Sequence, residues 1–226
     1  MDNLIHDDAD KTLVSYLSSL HLMPYLYDVT RKASLLGISC LFSMAQQFPE
    51  DATCASLEGQ YMIGNNLLVI PVHHANSLME YYLPPGKWTN YLTGVIRFGG
   101  QWYKEKTSSL YPFLFIRENS IIPTSISEVD GYPPVQFRIY HLKQGTRVTG
   151  SFYDRYTSST WSYLVRRTNR QLTISSSENV LYSFRMMNQP AQAADHAFLL
   201  EEGHDIIVQP DINAAIVTVQ LHQERI

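Results

Sequence analysis

From Val135 to Leu221 the chain breaks into short runs in which apolar side chains alternate with polar ones. The runs are Gln136 to Tyr140, Thr146 to Gly150, Trp161 to Val165, Gln171 to Ile174, Val180 to Phe184 and Ala215 to Leu221. A period of two sends successive side chains to opposite faces of a strand, so each run can bury one face and wet the other. Short strands of this kind, separated by polar turns, predict antiparallel sheets stacked face to face as β-sandwiches. With 226 residues and 45% hydrophobic content, the chain is long enough to bury roughly 70% of its unfolded surface. A core can therefore close without disulfide or metal support.

The N-terminal part has a different period. Leu13, Leu17, Leu20, Met23, Tyr27 and Leu35 follow helical spacing between Lys11 and Leu36, with Asp10 placed to cap the first turn. Pro24 lies inside this pattern and predicts a kink or a break into two helical pieces around Leu22 to Tyr25, while Gly37 supplies the stop. Ile38 to Phe42 is a short apolar run directly after that stop, which predicts a buried strand of a parallel sheet. Gln46 to Gly59 is polar and rich in turn formers. Beyond it Leu67 to Val72, Glu80 to Leu83 and Phe113 to Ile116 read as strands bounded by Pro-Gly, Gly-Gly and Asn. Gly131, Pro133 and Pro134 make 128–134 the linker between a proximal and a distal β module.

Charge excludes some partners. Seventeen basic residues stand against 21 acidic ones, a net charge of -4, so no positive field favours nucleic acid or an anionic membrane surface. No apolar run approaches the roughly 18 residues that span a bilayer. The opening Met1-Asp2-Asn3-Leu4-Ile5-His6-Asp7-Asp8 is acidic where a secretory signal is basic and then apolar. These features, with only two cysteines (Cys40 and Cys54), predict a cytoplasmic protein with reduced, structural thiols.

Four segments carry a resemblance. They are His21-Leu22-Met23-Pro24-Tyr25-Leu26-Tyr27, the run Gln60 to Val72, Tyr82-Leu83-Pro84-Pro85-Gly86-Lys87-Trp88, and Ile116-Arg117-Glu118-Asn119-Ser120-Ile121-Ile122-Pro123, with Phe48-Pro49-Glu50-Asp51 between the first two. In this order and spacing they resemble the C-terminal part of glycoside hydrolase family 31, and Gly100-Gln101-Trp102-Tyr103-Lys104-Glu105 resembles its α-xylosidase branch. The resemblance is sequence-specific from Leu13 to Pro123 and architectural beyond Val135. It implies a mainly β fold: the last helix and strand of a (β/α)8 TIM barrel in 1–59, a proximal β-sandwich in 60–130 and a distal one in 131–226.

The same resemblance implies a retaining α-glycosidase that hydrolyses O-glycosyl bonds with two carboxylates about 5 Å apart. In the family both are aspartates upstream of the Leu22 to Tyr27 helix, so none of the residues present is expected to be catalytic, and no cofactor or metal is called for. Asp7, Asp8 and Asp10 read as a solvated helix start, and Glu50 and Asp51 as turn residues. Neighbouring His73 and His74 point apart and read as surface side chains. Trp88, Tyr91, Trp102 and Tyr103 could stack on sugar, but core packing is the expected role. Gly99-Gly100 is a turn with no phosphate-loop pattern. At Phe42 the family has an Arg, and at Ser39 a Pro; a ring cannot supply a guanidinium's forked donors.

Two other readings stay open: a non-catalytic carbohydrate-binding or scaffolding sandwich protein, and the product of a decayed gene. The expected partner is an N-terminal glycosidase polypeptide, or a second copy, because the Lys11 to Phe42 segment would otherwise expose an apolar helix face and a free strand edge.

Overall fold

The computed structural model describes residues 15–17, 20–74, 78–108, 110–126, 135–155, 157–176 and 182–222. Asp7, Asp8, Asp10 with its expected cap, the 128–134 linker and Val180 lie outside them.

Pro24 interrupts the helical pattern as its chemistry dictates. Residues 15–17 are helical, His21 turns the chain with a left-handed φ of 61°, and a new helix, α1, runs Met23–Leu36 with Pro24 in its first turn, where no N–H is required. Gly37 ends α1 at φ 66°, its N–H closing onto the Ala33 carbonyl.

The first β module comprises β1 (Leu41–Ser43), β2 (Tyr61–Ile63), β3 (Leu67–Ile70), β4 (Leu78–Leu83), β5 (Lys87–Asn90), β6 (Ile96–Phe98), β7 (Gln101–Lys106) and β8 (Phe113–Arg117). Between β1 and β2 sits a short helix, α2 (Met44–Gln47), closed by a reciprocal Ser43–Gln46 capping box. Six of the strands form one sheet in the order β1-β2-β3-β8-β5-β6, and β4 pairs with β7 as a separate ribbon.

The period of two explains why β3 is buried along its whole length. Leu68 and Ile70 join Phe115, Trp88, Tyr81 and Leu83 in the core beneath the ribbon. Leu67 and Val69, one residue out of phase, join Leu114, Ile116, Leu17, Leu22 and Tyr25 on the opposite face, under the helical segment.

The strand expected at Ile38 to Phe42 is corrected in two respects. β1 pairs antiparallel with β2, Phe42 opposite Met62, and it lies at the sheet edge. Ile38 and Leu41 are 54% and 50% exposed rather than buried. The run lies at the edge of the sheet, and its chain partner is the adjoining β2–β3 hairpin, fastened by the Gly64 N–H to the Cys40 carbonyl at 2.8 Å. Leu35 and Leu36, at 69% and 70% exposed, extend the same apolar strip along the end of α1.

The second module is formed by β9 (Ser120–Ser125), β10 (Val135–Tyr140), β11 (Arg147–Asp154), β12 (Ser159–Thr168), β13 (Gln171–Ser176), β14 (Ser183–Met187), β15 (Ala191–Asp195), β16 (Ala197–Glu202), β17 (Asp205–Pro210) and β18 (Ile216–Leu221). Two five-stranded sheets, β16-β17-β14-β10-β9 and β11-β12-β13-β18-β15, enclose a core centred on Phe137. The ladders are antiparallel except β10–β14, which is parallel. β9 falls inside the 60–130 stretch yet pairs with β10. Its Pro123 is tolerated because β9 is an edge strand. Phe137 and Ile139 of β10 face the second core while Tyr140 faces the layer shared with α1, so the two modules meet through this sheet.

Candidate functional site

The segment after α2 holds two carboxylates, and the structure shows what Asp51 does. Its Oδ1 accepts from the Thr53 N–H at 3.0 Å and its Oδ2 from the Tyr82 hydroxyl at 2.9 Å. Both bonds close the turn onto β4, the role expected for Asp51. Burial, with Asp51 adding to it, pushes the Cys54 thiol up to about 12, which leaves it protonated and unreactive. Tyr82 is likewise raised by burial and by its bond to Asp51. Glu50 is exposed beside them on the rim of a depression of about 550 Å³.

Of the four aromatic residues considered for sugar stacking, three are spent on packing. Trp88 is fully buried and donates its Nε1–H to the Pro84 carbonyl at 2.7 Å. Tyr91 donates to the Leu20 carbonyl at 2.7 Å, and Tyr103 to Phe98 at 2.7 Å while stacking on Tyr81. Trp102 differs: it is 49% exposed, with its ring centroid 5.5 Å from that of Tyr82, its cross-strand neighbour.

The segments that carried the resemblance owe their residue types to close backbone approach. Gln60 is buried, donating to the Tyr82 carbonyl at 2.7 Å and accepting the Tyr82 N–H at 3.1 Å, so one side-chain amide holds the free edge of β4. The Tyr25 hydroxyl donates to the Ile63 carbonyl at 2.7 Å, and Gly64 leaves it room, since a Cβ there would lie 2.8 Å from that hydroxyl. At Gly99 a Cβ would lie 1.7 Å from the Pro84 carbonyl oxygen, so that position admits no side chain. Glu118 is buried at the β8–β9 turn against Lys143 Nζ at 2.6 Å, and Asn119 follows at a left-handed φ of 59°, its Oδ1 accepting the Lys143 N–H at 2.8 Å. This turn joins the two modules.

Sequence reasoning gave no role to Gln60, Glu118, Asp28 or Asp205. Asp28 pairs with Lys32 at 2.5 Å one helical turn on, and Lys32 also donates to the Ser151 carbonyl, fastening α1 to β11. Burial raises the Asp28 carboxyl above the usual range, against the pull of Lys32. Asp205 pairs with Arg185 at 2.8 Å. The helical spacing of Asp28 and Lys32 was a readable signal; the other partners are distant in sequence.

His73 and His74 are exposed, and no group of three or more His, Cys, Asp or Glu side chains that could hold a metal occurs among the described residues. Phe42 packs against the core beneath the ribbon. Ser39 closes a local turn, its hydroxyl bonded to the Leu41 N–H and carbonyl at 3.0 and 2.7 Å. Cys40 and Cys54 are free thiols.

Known proteins share this architecture. Alpha-xylosidase XylQ of Lactiplantibacillus pentosus is 29% identical over 176 residues, 74% of this chain and 23% of XylQ. An alpha-glucosidase of Saccharolobus solfataricus is 31% identical over 118 residues, 52% of this chain and 17% of the enzyme. The chain thus spans less than a quarter of the length of these relatives. Among solved structures, a cycloalternan-forming enzyme from Listeria monocytogenes superimposes with a TM-score of 0.76 at 20% identity, over 89% of this chain and 22% of the enzyme. A dextranase from Flavobacterium johnsoniae gives 0.74 at 19% identity, over 88% of this chain and 31% of the dextranase. Residues 37–122 match the glycosyl hydrolase family 31 C-terminal domain, so this segment is a family 31 C-terminal domain and the chain as a whole is similar to the C-terminal, mainly β part of such enzymes.

Proposed function

We propose that this chain serves as the C-terminal support of a retaining α-glycosidase acting on α-xylosides, and that it is inactive without the barrel polypeptide that brings the catalytic carboxylates. The observation that carries this reading is the apolar strip formed by Leu35, Leu36, Ile38 and Leu41 along the end of α1 and the free edge of β1. An unpaired edge beside exposed leucines is a surface that another part of a protein covers. The buried carboxylates support the same reading from the other side. Asp28, Glu118 and Asp205 are each paired with a cation, and Asp51 is bound into a turn, so each is committed to holding the fold together. The preference for α-xylosides rests on the Gly100 to Glu105 segment and on the likeness to an alpha-xylosidase.

The free thiols fit a reducing, cytoplasmic setting, which cell fractionation would check. The activity reading is tested by assaying hydrolysis of p-nitrophenyl α-xyloside and α-glucoside with the chain alone and mixed with the barrel polypeptide. Turnover only in the mixture, faster on the xyloside, is the expected outcome. Turnover by the chain alone would overturn it.

A further inference from the structure

We infer that the depression between the Phe48–Asp51 turn and the β4–β7 ribbon is a binding site for a neutral carbohydrate. An exposed indole by itself is unremarkable on a protein surface. Here it adjoins a concavity: Tyr82 and Gly100 line the depression, Tyr82 is the cross-strand partner of Trp102, and Gly100 lies two residues before it. At about 550 Å³ the space falls within the roughly 300–1,000 Å³ of small-molecule sites.

The lining chooses the class of ligand. It contains Glu50, Asp51 and Gln47 but no Lys, Arg or His, which disfavours phosphates and uronic acids. A neutral polyol instead offers hydroxyl donors to the carboxylates. Asp51 is already fixed by Thr53 and Tyr82 and keeps acceptor capacity on each oxygen, so ordering it costs a ligand little. A pyranose also carries a flat C–H face, and Trp102, half exposed beside the buried Tyr82 with ring centroids 5.5 Å apart, presents a ring for it to cover. This inference goes beyond the proposed hydrolytic role and does not require the barrel. It is read as binding, so its failure would leave the hydrolysis result standing, and the reverse holds too.

The test is a titration of the whole chain with isoprimeverose and maltotriose. Trp88 and Trp161 are buried, so ligand-dependent tryptophan emission reports Trp102. A saturable blue shift at millimolar ligand is expected. By calorimetry, Trp102→Ala should weaken binding about tenfold or more and Glu50→Gln should weaken it several-fold, with melting temperatures close to that of the unaltered chain. Should Trp102→Ala fail to fold, Glu50→Gln decides, because its side chain is exposed and outside the core. No saturable change in the unaltered chain, or unchanged affinity in a folded variant, would overturn the inference.

Discussion

The proximal and distal modules are both built from short strands around an apolar core, yet they specify their structure differently. In the proximal module the decisive residues are those that let backbones approach: Gly99 against Pro84, Gly64 beneath the Tyr25 hydroxyl, Gln60 on the edge of β4. Such positions accept one residue type and appear in the sequence as recognisable strings. The distal module rests on bulk. Phe137 meets Phe152, Trp161, Tyr163, Tyr182 and Phe184 at centroid distances of 5.1–5.6 Å, and the tightly packed glycine there, Gly150, meets the Tyr163 side chain and not a backbone. The family 31 domain match ends at residue 122, beside the turn that joins the two.

Substitutions can break this contrast. The largest loss is expected at Phe137→Ala, which should cost about 3–5 kcal/mol in denaturant unfolding, because it empties the centre of the distal core. Phe137→Leu should recover most of that. At Gly99→Ala a single methyl group should cost about 3 kcal/mol, because the atom it meets is a backbone carbonyl that cannot rotate away. A loss below 1 kcal/mol there would show that the proximal turn tolerates side chains and would erase the difference between the modules. Gly203→Ala is the control: its φ is positive but its surroundings are open, so about 1 kcal/mol is expected.

Gln60→Ala comes next, at about 2 kcal/mol, since the Tyr82 N–H and carbonyl would be left buried without the amide that satisfies them. The smallest effect belongs to the joint between the modules. Asp28 has a folded-state affinity for its proton above the usual 3.8. A raised carboxyl favours the folded state most at low pH, and that contribution falls as pH rises through the raised value. Relative to Asp28→Asn, the unaltered chain should therefore lose stability as pH rises from acid towards neutrality. Chemical denaturation at a series of pH values would show the slope; a rise would contradict the assignment.

How much of this was legible depended on whether a signal was local. Pro24 and Gly37 act within one turn of themselves, and both the break and the stop were readable. The alternation in 135–176 located β10 to β13 because each strand buries one face. Ile38 to Phe42 does not read as an exposed antiparallel edge because a short apolar run looks the same whether it enters a core or lines an edge. β9 was hidden by Pro123, and β16 by the consecutive Leu199-Leu200-Glu201-Glu202, which breaks alternation. At the candidate site, the turn role of Asp51 followed from residue type, but the exposure of Trp102 did not. Trp88 and Trp102 both lie on strands with polar neighbours, and only the pairing of β4 with β7 distinguishes them.

The proposed role makes the apolar strip of Leu35, Leu36, Ile38 and Leu41 the seat of a barrel polypeptide. The most direct measurement is sedimentation of the chain with that polypeptide, unaltered and as the double variant Leu36→Asp/Leu41→Asp. Both positions are exposed, so the variant should melt like the unaltered chain. A stable one-to-one complex with the unaltered chain, lost in the variant, is the predicted result. Separate sedimentation of the two unaltered polypeptides, or a complex indifferent to the two aspartates, would contradict it.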